Sequence, residues 1–182
     1  ANWKFKGSEL FFSILIIGAF IPYQVMIYPI VIVLRELGIY GTLSGLVIVH
    51  TIFGMPILTL LFRNYFASLP EELFKAARID GANFWQIYFR IMLPMSLPIF
   101  VVAMILQVTG IWNDFLFGVV FTRPEYYPMT VQLNNIVNSV QGVKEYNVNM
   151  AATLLTGAVP LIVYFLSGRL FVRGIAAGAV KG

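Results

Sequence analysis

Three consecutive residues at the end of an apolar run have side chains that could bind a hydroxyl-rich solute. Trp112 offers a ring for stacking, and Asn113 and Asp114 offer hydrogen-bonding groups for solute hydroxyls. The same string also suits a membrane boundary, where tryptophan is enriched and an acid lies just outside the lipid. Solute contact and a boundary role therefore stand as alternatives for these residues.

Polar residues inside the apolar runs are further candidates for solute contact. Tyr23 and Gln24 follow Pro22, which kinks a helix and frees backbone carbonyls, so they could face a pathway or pack between helices. His50 lies near the middle of its run, where a polar side chain is costly unless it faces protein or water. Its alternatives are a hydrogen bond between helices, a place in the pathway and a role in proton transfer.

The sequence contains a single histidine and no cysteine. Disulfides and thiolate metal sites are therefore excluded, and His50 alone lacks the partners for metal binding or catalysis. There is no phosphate-binding sequence of the G-x-x-x-x-G-K-[ST] type, so we expect the chain not to hold ATP itself. We predict no catalytic, metal-binding or cofactor-binding residues, and a protein that is not an enzyme.

A polar stretch between two apolar runs, the elbow (residues 68–92), predicts two short helices joined by a sharp turn. Ser68 followed by Glu71 fits a capping box at the first helix. Gly81 can adopt a positive φ and so end that helix, and Asn83 is a suitable N-cap for the second. A DNA-binding helix–turn–helix is disfavoured, because membrane-length runs flank the elbow and its first half is acidic.

The first helix of the elbow offers a flat face for a partner. Leu73, Ala76 and Ala77 are spaced to share one side, and the small alanines would let another surface approach closely. From spacing alone, a plain cytoplasmic loop that happens to be helical explains the stretch equally well.

The residue order of the elbow resembles the EAA motif of binding-protein-dependent ABC importer permeases. The matching residues are Glu72, Leu73, Ala76, Ala77, Asp80, Gly81, Ala82, Ile91, Leu93 and Pro94. Lys75 stands where that family has the glutamate that names the motif, which removes the carboxylate from this position. The resemblance implies a coupling helix that docks into a groove of an ATP-binding subunit. The docking residues it implies are Glu72, Leu73, Ala76, Ala77, Asp80 and Gly81.

Two further stretches are similar to sugar permeases. The string that begins at Trp112 resembles a recurring feature of sugar-importer permeases, and the tail 174–182 resembles the C-terminal signature of the maltose-type (MalG-like) carbohydrate family. This resemblance implies the C-terminal part of a six-helix permease. The implied partners are ATP-binding cassette subunits, an identical or related second permease subunit, an extracytoplasmic solute-binding protein and membrane lipid.

Composition indicates an integral membrane protein. Of the 182 residues, 59% are hydrophobic and 11% are charged, against about 25% charged in soluble domains. The net charge of +4 does not indicate nucleic-acid binding, because the basic residues are spread among short loops. The chain begins at Ala1 without an initiator methionine, so we expect a fragment of a longer permease.

The apolar runs predict a single all-α transmembrane domain over residues 1–182. We place spans at about 10–34, 42–62, 93–118 and 150–168, and an external polar loop at 119–149. Prolines are expected to break the helix shape at Pro22, Pro29, Pro56, Pro98 and Pro160.

The distribution of basic residues orients these spans in a bacterial or archaeal cytoplasmic (inner) membrane. One side has the nine residues Lys4, Lys6, Arg63, Lys75, Arg78, Arg90, Arg169, Arg173 and Lys181, and the other has the three residues Arg35, Arg123 and Lys144. The side rich in lysine and arginine faces the cytoplasm. The elbow and both ends of the chain are then cytoplasmic.

These observations predict a permease subunit that moves a sugar or related polyol by alternating access, with ATP hydrolysed by a partner. The main alternative is a secondary transporter or channel driven by an ion gradient, which would need buried acids or a histidine–acid pair. Only His50 and Asp114 qualify for that role. A structural membrane subunit of an energy-converting complex is a third alternative, and the lack of cofactor ligands disfavours it.

Overall fold

The computed structural model describes residues 5–138 and 145–179, with side chains in the last helix up to residue 168. All regular elements in these ranges are helical, apart from one isolated bridge between Gly41 and Thr122. The predictions that concern Arg169, Arg173 and the tail 174–182 lie outside the described side chains. Those on Lys4 and Lys144 lie outside the described residues.

The first apolar run forms two helices, α1 (Ser8–Ala19) and α2 (Tyr23–Glu36), that meet at 103°. The bend falls at Pro22, which lacks an N–H group and disfavours a helical conformation at the residue before it. Pro29 lies inside α2 without ending it. The break expected at Pro22 is therefore confirmed, whereas the helix continues through Pro29.

The second apolar run is the single helix α3 (Leu43–Ser68), which also continues through Pro56. Its N-cap is Thr42, whose hydroxyl oxygen accepts a hydrogen bond from the Gly45 amide at 3.2 Å. Gly54 in its middle lies against the Gln107 side chain of a later helix, and a Cβ on Gly54 would be 2.3 Å from Gln107 Nε2. The absence of a side chain at Gly54 therefore permits this close approach.

The elbow contains α4 (Glu71–Ile79) and α5 (Phe84–Ile87). Gly81 has φ +79°, and Asn83 forms a capping box with Gln86, as the sequence predicts. The capping box expected from Ser68 is wrong, because α3 continues to that residue and the Ser68 hydroxyl donates to the Tyr65 carbonyl at 2.7 Å. The residue before α4 is Pro70, which provides no side-chain cap.

The third apolar run starts inside the elbow and is broken once. A π-helical turn (Tyr88–Met92) follows α5 and leads into the short α6 (Leu93–Met95). The chain then bends by 64° at Ser96 and continues as α7 (Leu97–Trp112). Pro98 lies in the first turn of α7, which matches the break expected there.

The rest of the chain packs onto the long helices. The helices are α8 (Leu116–Phe121), α9 (Met129–Val137) and α10 (Tyr146–Ala179), with a 3₁₀ turn at Pro124–Tyr126. α10 packs against α7 and α9, and it continues through Pro160. Within the segment predicted as an external loop, Val131 of α9 is only 1% exposed.

Two helices of the described chain, Leu43–Ser68 and Tyr146–Gly168, are long and apolar enough to cross a membrane. The number rises to four when each bent pair counts as one span. The predicted all-α membrane fold is confirmed. Its main core lies where α2, α3 and α8 meet, around Leu34, Val49 and Phe121.

Candidate functional site: the elbow and a polar cluster

The two helices of the elbow are held together by a small apolar core. Phe74 and Ala77 of α4 are 3% and 7% exposed, and they pack with the buried Ile87 of α5. Burial of one phenylalanine or isoleucine side chain contributes about 1.5–3 kcal/mol. The elbow therefore forms a packed unit with a fixed internal angle.

The position of Ala77 corrects one predicted docking residue. Ala77 was expected to share a partner-facing side with Leu73 and Ala76, but it faces the interior of the elbow. It is buried because its neighbour Phe74 lies on the same side of α4, and the two side chains together cover α5. Ala77 is thus a packing residue of the elbow.

The other residues of α4 are exposed along its length. The remaining predicted docking residues, all exposed, are Glu72, Leu73, Ala76, Asp80 and Gly81. Ile79 was missed by the sequence reasoning, although it follows Leu73 and Ala76 at steps of three residues, and it is 86% exposed. We call the exposed residues Glu72, Leu73, Ala76, Ile79, Asp80 and Gly81 the outer face of the elbow.

Lys75 lies beside the outer face in an exposed ion pair. Its ammonium is 3.1 Å from the Glu71 carboxylate one turn earlier. Such exposed pairs on a helix contribute about 0.3–0.5 kcal/mol. The lysine that replaces the expected glutamate therefore has a local partner in α4.

A polar cluster surrounds the ring of Phe117 in α8. The His50 Nε2 atom is 3.7 Å from the Asp114 carboxylate, and both residues are half-buried. The rings of Tyr23 and His50 lie with their centroids 5.6 Å and 5.5 Å from that of Phe117. The structure therefore brings together Tyr23, His50 and Asp114, three of the six predicted solute-contact residues.

The Asp114 carboxylate is mainly occupied by the backbone. It accepts hydrogen bonds from the amides of Phe117 at 3.3 Å and Gly118 at 3.1 Å, so it caps the start of α8. The Thr130 hydroxyl donates to the Asp114 carbonyl at 2.6 Å and ties this turn to α9. The sequence did not predict the contacts of Phe117 and Thr130 with Asp114. The three-residue spacing from Asp114 to Phe117 is the sequence signal that indicates the cap.

The other three candidates lie apart from the Phe117 ring. The Trp112 indole N–H donates to the Thr156 carbonyl at 3.0 Å, which anchors α7 to α10. Gln24 and Asn113 are exposed. The six candidate side chains can bind and position polar groups of a ligand by hydrogen bonding. Among the described residues, no group of three or more metal-ligating side chains is present.

A cavity of about 670 Å³ lies between α1 and α3, with Gln107 of α7 in its wall. Five of its thirteen lining residues are phenylalanines. At one end, the Arg63 guanidinium is 2.6 Å from the Glu9 carboxylate and 3.8 Å from the centroid of the Phe12 ring. This contact ties the start of α1 to the last turns of α3.

Comparison with known proteins shows one family along nearly the whole chain. The family described as "binding-protein-dependent transport system inner membrane component" matches residues 1–177. A probable ABC transporter permease protein of Pyrococcus horikoshii is 43% identical over 178 residues, which cover 97% of this chain and 64% of that protein.

Relatives with a named sugar are similar over the same range. The alpha-glucoside transport system permease protein AglG of Rhizobium meliloti is 34% identical over 98% of this chain and 48% of its own length. The arabinooligosaccharides transport system permease protein AraQ of Halalkalibacterium halodurans is 31% identical over 100% and 64%. The chain spans about three fifths of the length of the first curated relatives it matches, at 64%, 59% and 65%.

Proposed function

Because the chain belongs to the family of binding-protein-dependent transport system inner membrane components, we propose that it is the permease subunit of an ATP-driven importer for a sugar or related polyol. Members of this family are multi-pass components of the inner membrane and are not themselves enzymes. The carbohydrate class is supported by the relatives named for alpha-glucosides, xylose and arabinose, and arabinooligosaccharides.

The observation that carries the proposal is the outer face of the elbow. The elbow has its own apolar core, yet the apolar Leu73 and Ile79 of its outer face are 40% and 86% exposed. Exposed apolar side chains rimmed by polar residues suit contact with another protein. We infer that the outer face docks into a groove of an ATP-binding cassette subunit, and that this subunit holds the ATP.

Alternating access follows from this docking. ATP closes two ATP-binding subunits, the elbow moves with the groove that holds it, and the attached helices reopen towards the outside. A second permease subunit, identical or related, completes the pathway, and an extracytoplasmic solute-binding protein delivers the sugar. The chain itself needs no cofactor for this mechanism.

The polar cluster supports a more limited role in solute contact. Asp114 and Trp112 are engaged by the backbone of α8 and α10, so they shape the local structure. Tyr23, Gln24 and Asn113 have exposed side chains and are the residues that we propose for hydrogen bonding to sugar hydroxyls. His50 lines the cluster between Asp114 and Phe117.

The test is uptake into liposomes that contain the full-length permease, its ATP-binding subunits and its solute-binding protein. Labelled maltose and arabinobiose are supplied outside, with ATP enclosed or omitted. Sugar uptake that requires enclosed ATP supports the proposal. Uptake that needs no ATP and follows a proton or sodium gradient favours the secondary transporter.

A matched pair of variants tests the docking face. Ile79→Asp places a charge on the outer face and should reduce co-purification of the ATP-binding subunit at least tenfold. Tyr126→Asp makes the same kind of change at an exposed aromatic residue on the 3₁₀ turn, and it should leave co-purification unchanged. Normal co-purification with Ile79→Asp would contradict docking at this face.

A further inference from the structure

The elbow is connected to the long helices by two segments of the chain, and these segments lie close together. One is the end of α3, which reaches Ser68 just before α4. The other is α6, which ends at Met95 just before the 64° bend into α7. Any movement of the elbow must pass through these two junctions.

A tyrosine joins the two junctions. The Tyr65 hydroxyl, in the last turn of α3, donates a hydrogen bond to the Met95 carbonyl at 2.5 Å. This carbonyl lies where the helical hydrogen-bond ladder is interrupted by the bend, so a side chain can reach it. The ring of Phe62, one turn earlier in α3, packs on Phe100 of α7 at 4.8 Å between centroids.

The bend itself is held by a buried serine. Ser96 is fully buried, and its hydroxyl donates to the Leu93 carbonyl at 2.7 Å. The Ser96 amide donates to the carbonyls of Met92 at 3.0 Å and Leu93 at 3.1 Å. The buried hydroxyl and amide of Ser96 thus both find their hydrogen-bond partners within the bend.

We propose that Tyr65 is a positioning residue that sets the angle between the elbow and the long helices by holding the break at Met95 and Ser96. The proposal rests on the proposed function, because the angle matters for transport only if the elbow receives the movement of an ATP-binding subunit. With the bond in place, displacement of the elbow also moves α3 and α7. Without it, the elbow turns at the break and the displacement is lost.

Each of the matched variants differs from the unmodified protein by the loss of one hydroxyl oxygen. Tyr65→Phe removes the hydroxyl that bonds to Met95. Tyr88→Phe makes the same change inside the elbow, where the Tyr88 ring packs against Phe84, Trp85 and Phe89. We call the break at Met95 and Ser96 the hinge. Ser96→Ala removes a second hydrogen bond that holds it, the bond from the Ser96 hydroxyl to the Leu93 carbonyl.

The angle is measured by distances between spin labels on the full-length subunit in nanodiscs. The chain contains no cysteine, so labels at Ile79→Cys on the elbow and Met104→Cys on α7 are selective within it. We expect Tyr65→Phe to raise the population of a second elbow orientation about fivefold, the factor that corresponds to one typical hydrogen bond. Tyr88→Phe should leave the distances unchanged.

The functional readout is the number of sugar molecules imported for each ATP hydrolysed by the assembled transporter. Tyr65→Phe should lower this ratio several-fold while ATP hydrolysis continues. A purely structural role would lower the amount of inserted complex and leave the ratio unchanged. The same ratio in Tyr65→Phe and Tyr88→Phe would overturn the proposal.

The spin-label distances separate failure of this proposal from failure of the proposed function. If the unmodified transporter shows no ATP-dependent uptake, the proposed function is wrong, whereas the distances still test the hinge. If Tyr65→Phe inserts poorly, Ser96→Ala tests the same break and should broaden the distances. Unchanged distances in the variant that inserts would overturn the role of the hinge.

Discussion

Replacement of Gly81 by alanine isolates the contribution of one backbone conformation to the elbow. Gly81 has φ +79°, and a Cβ built on it would meet no atom within 4 Å. Contacts with neighbouring side chains therefore do not contribute, and only the strain of a left-handed alanine remains. That strain is roughly 1–2 kcal/mol, and such a free energy changes a local opening equilibrium by a factor of about 5–30.

Amide hydrogen exchange of the subunit in nanodiscs measures this opening. The amides of residue 81 and Ala82 are the reporters, because they donate to the carbonyls of Arg78 at 3.0 Å and Ala77 at 2.9 Å. Gly81→Ala should accelerate their exchange by about 5–30-fold. Gly81→Asn should have a smaller effect, because asparagine adopts the left-handed conformation more readily.

A glycine in α7 provides the control for this experiment. Gly110 also has open space around its Cβ position, but its φ is not in the left-handed range. Gly110→Ala should therefore leave exchange in the elbow unchanged. Exchange in Gly81→Ala equal to that of the unmodified protein would refute the reasoning, and equal acceleration in Gly110→Ala would show a global effect instead.

Three further predictions concern packing, docking and capping. Gly54→Ala should lower the free energy of unfolding by at most about 1 kcal/mol, because the new Cβ would lie 2.3 Å from Gln107 Nε2, the end of a flexible side chain that can move aside; the double variant with Gln107→Ala should recover this loss in thermal unfolding, and no recovery would contradict the contact. Ala77→Leu should destabilise the elbow in hydrogen exchange, whereas Ala76→Leu should impair only binding of the ATP-binding subunit; identical behaviour of the two variants would contradict the assigned faces. Asp114→Ala should lower the free energy of unfolding by about 1 kcal/mol through loss of the α8 cap, and an unchanged midpoint of thermal unfolding would contradict this capping role.

Features that depend on neighbouring residues in the chain could be predicted from the sequence. The turn at Gly81 and the cap at Asn83 follow from local backbone chemistry, and both are confirmed. The helical membrane fold follows from long apolar runs, which need a structure that satisfies every backbone polar group. These predictions need no knowledge of distant contacts.

Features that depend on tertiary packing could not be predicted in the same way. Pro22 and Pro29 occur in one apolar run, yet the chain breaks at the first and α2 continues through the second, a difference that the residue type alone does not predict. Ala76 and Ala77 are adjacent in sequence, and only the position of α5 shows that the second is buried. The contact between His50 and Asp114 joins residues far apart in sequence.

The role of Asp114 shows why solute contacts were the hardest to predict. An acid at a membrane boundary can bind a ligand, face water or cap a helix, and all three need the same residue type. The start of α8 at Leu116, two residues after the acid, is what makes Asp114 a cap. A residue type alone therefore indicates a possible chemistry but not whether the backbone already uses it.

The π-helical turn at Tyr88–Met92 makes the orientation of the elbow tolerant of the loss of one residue. Such a turn accommodates one residue more than an α-helical turn, so deletion of one residue there would restore a regular helix. Each residue of an α-helix turns the chain by about 100°. Loss of one residue from a regular α-helical segment would therefore rotate the outer face of the elbow by about that angle relative to α7. Loss of one residue from the π-helical turn would instead leave the outer face nearly in its present orientation, because the wider turn already contains the extra residue.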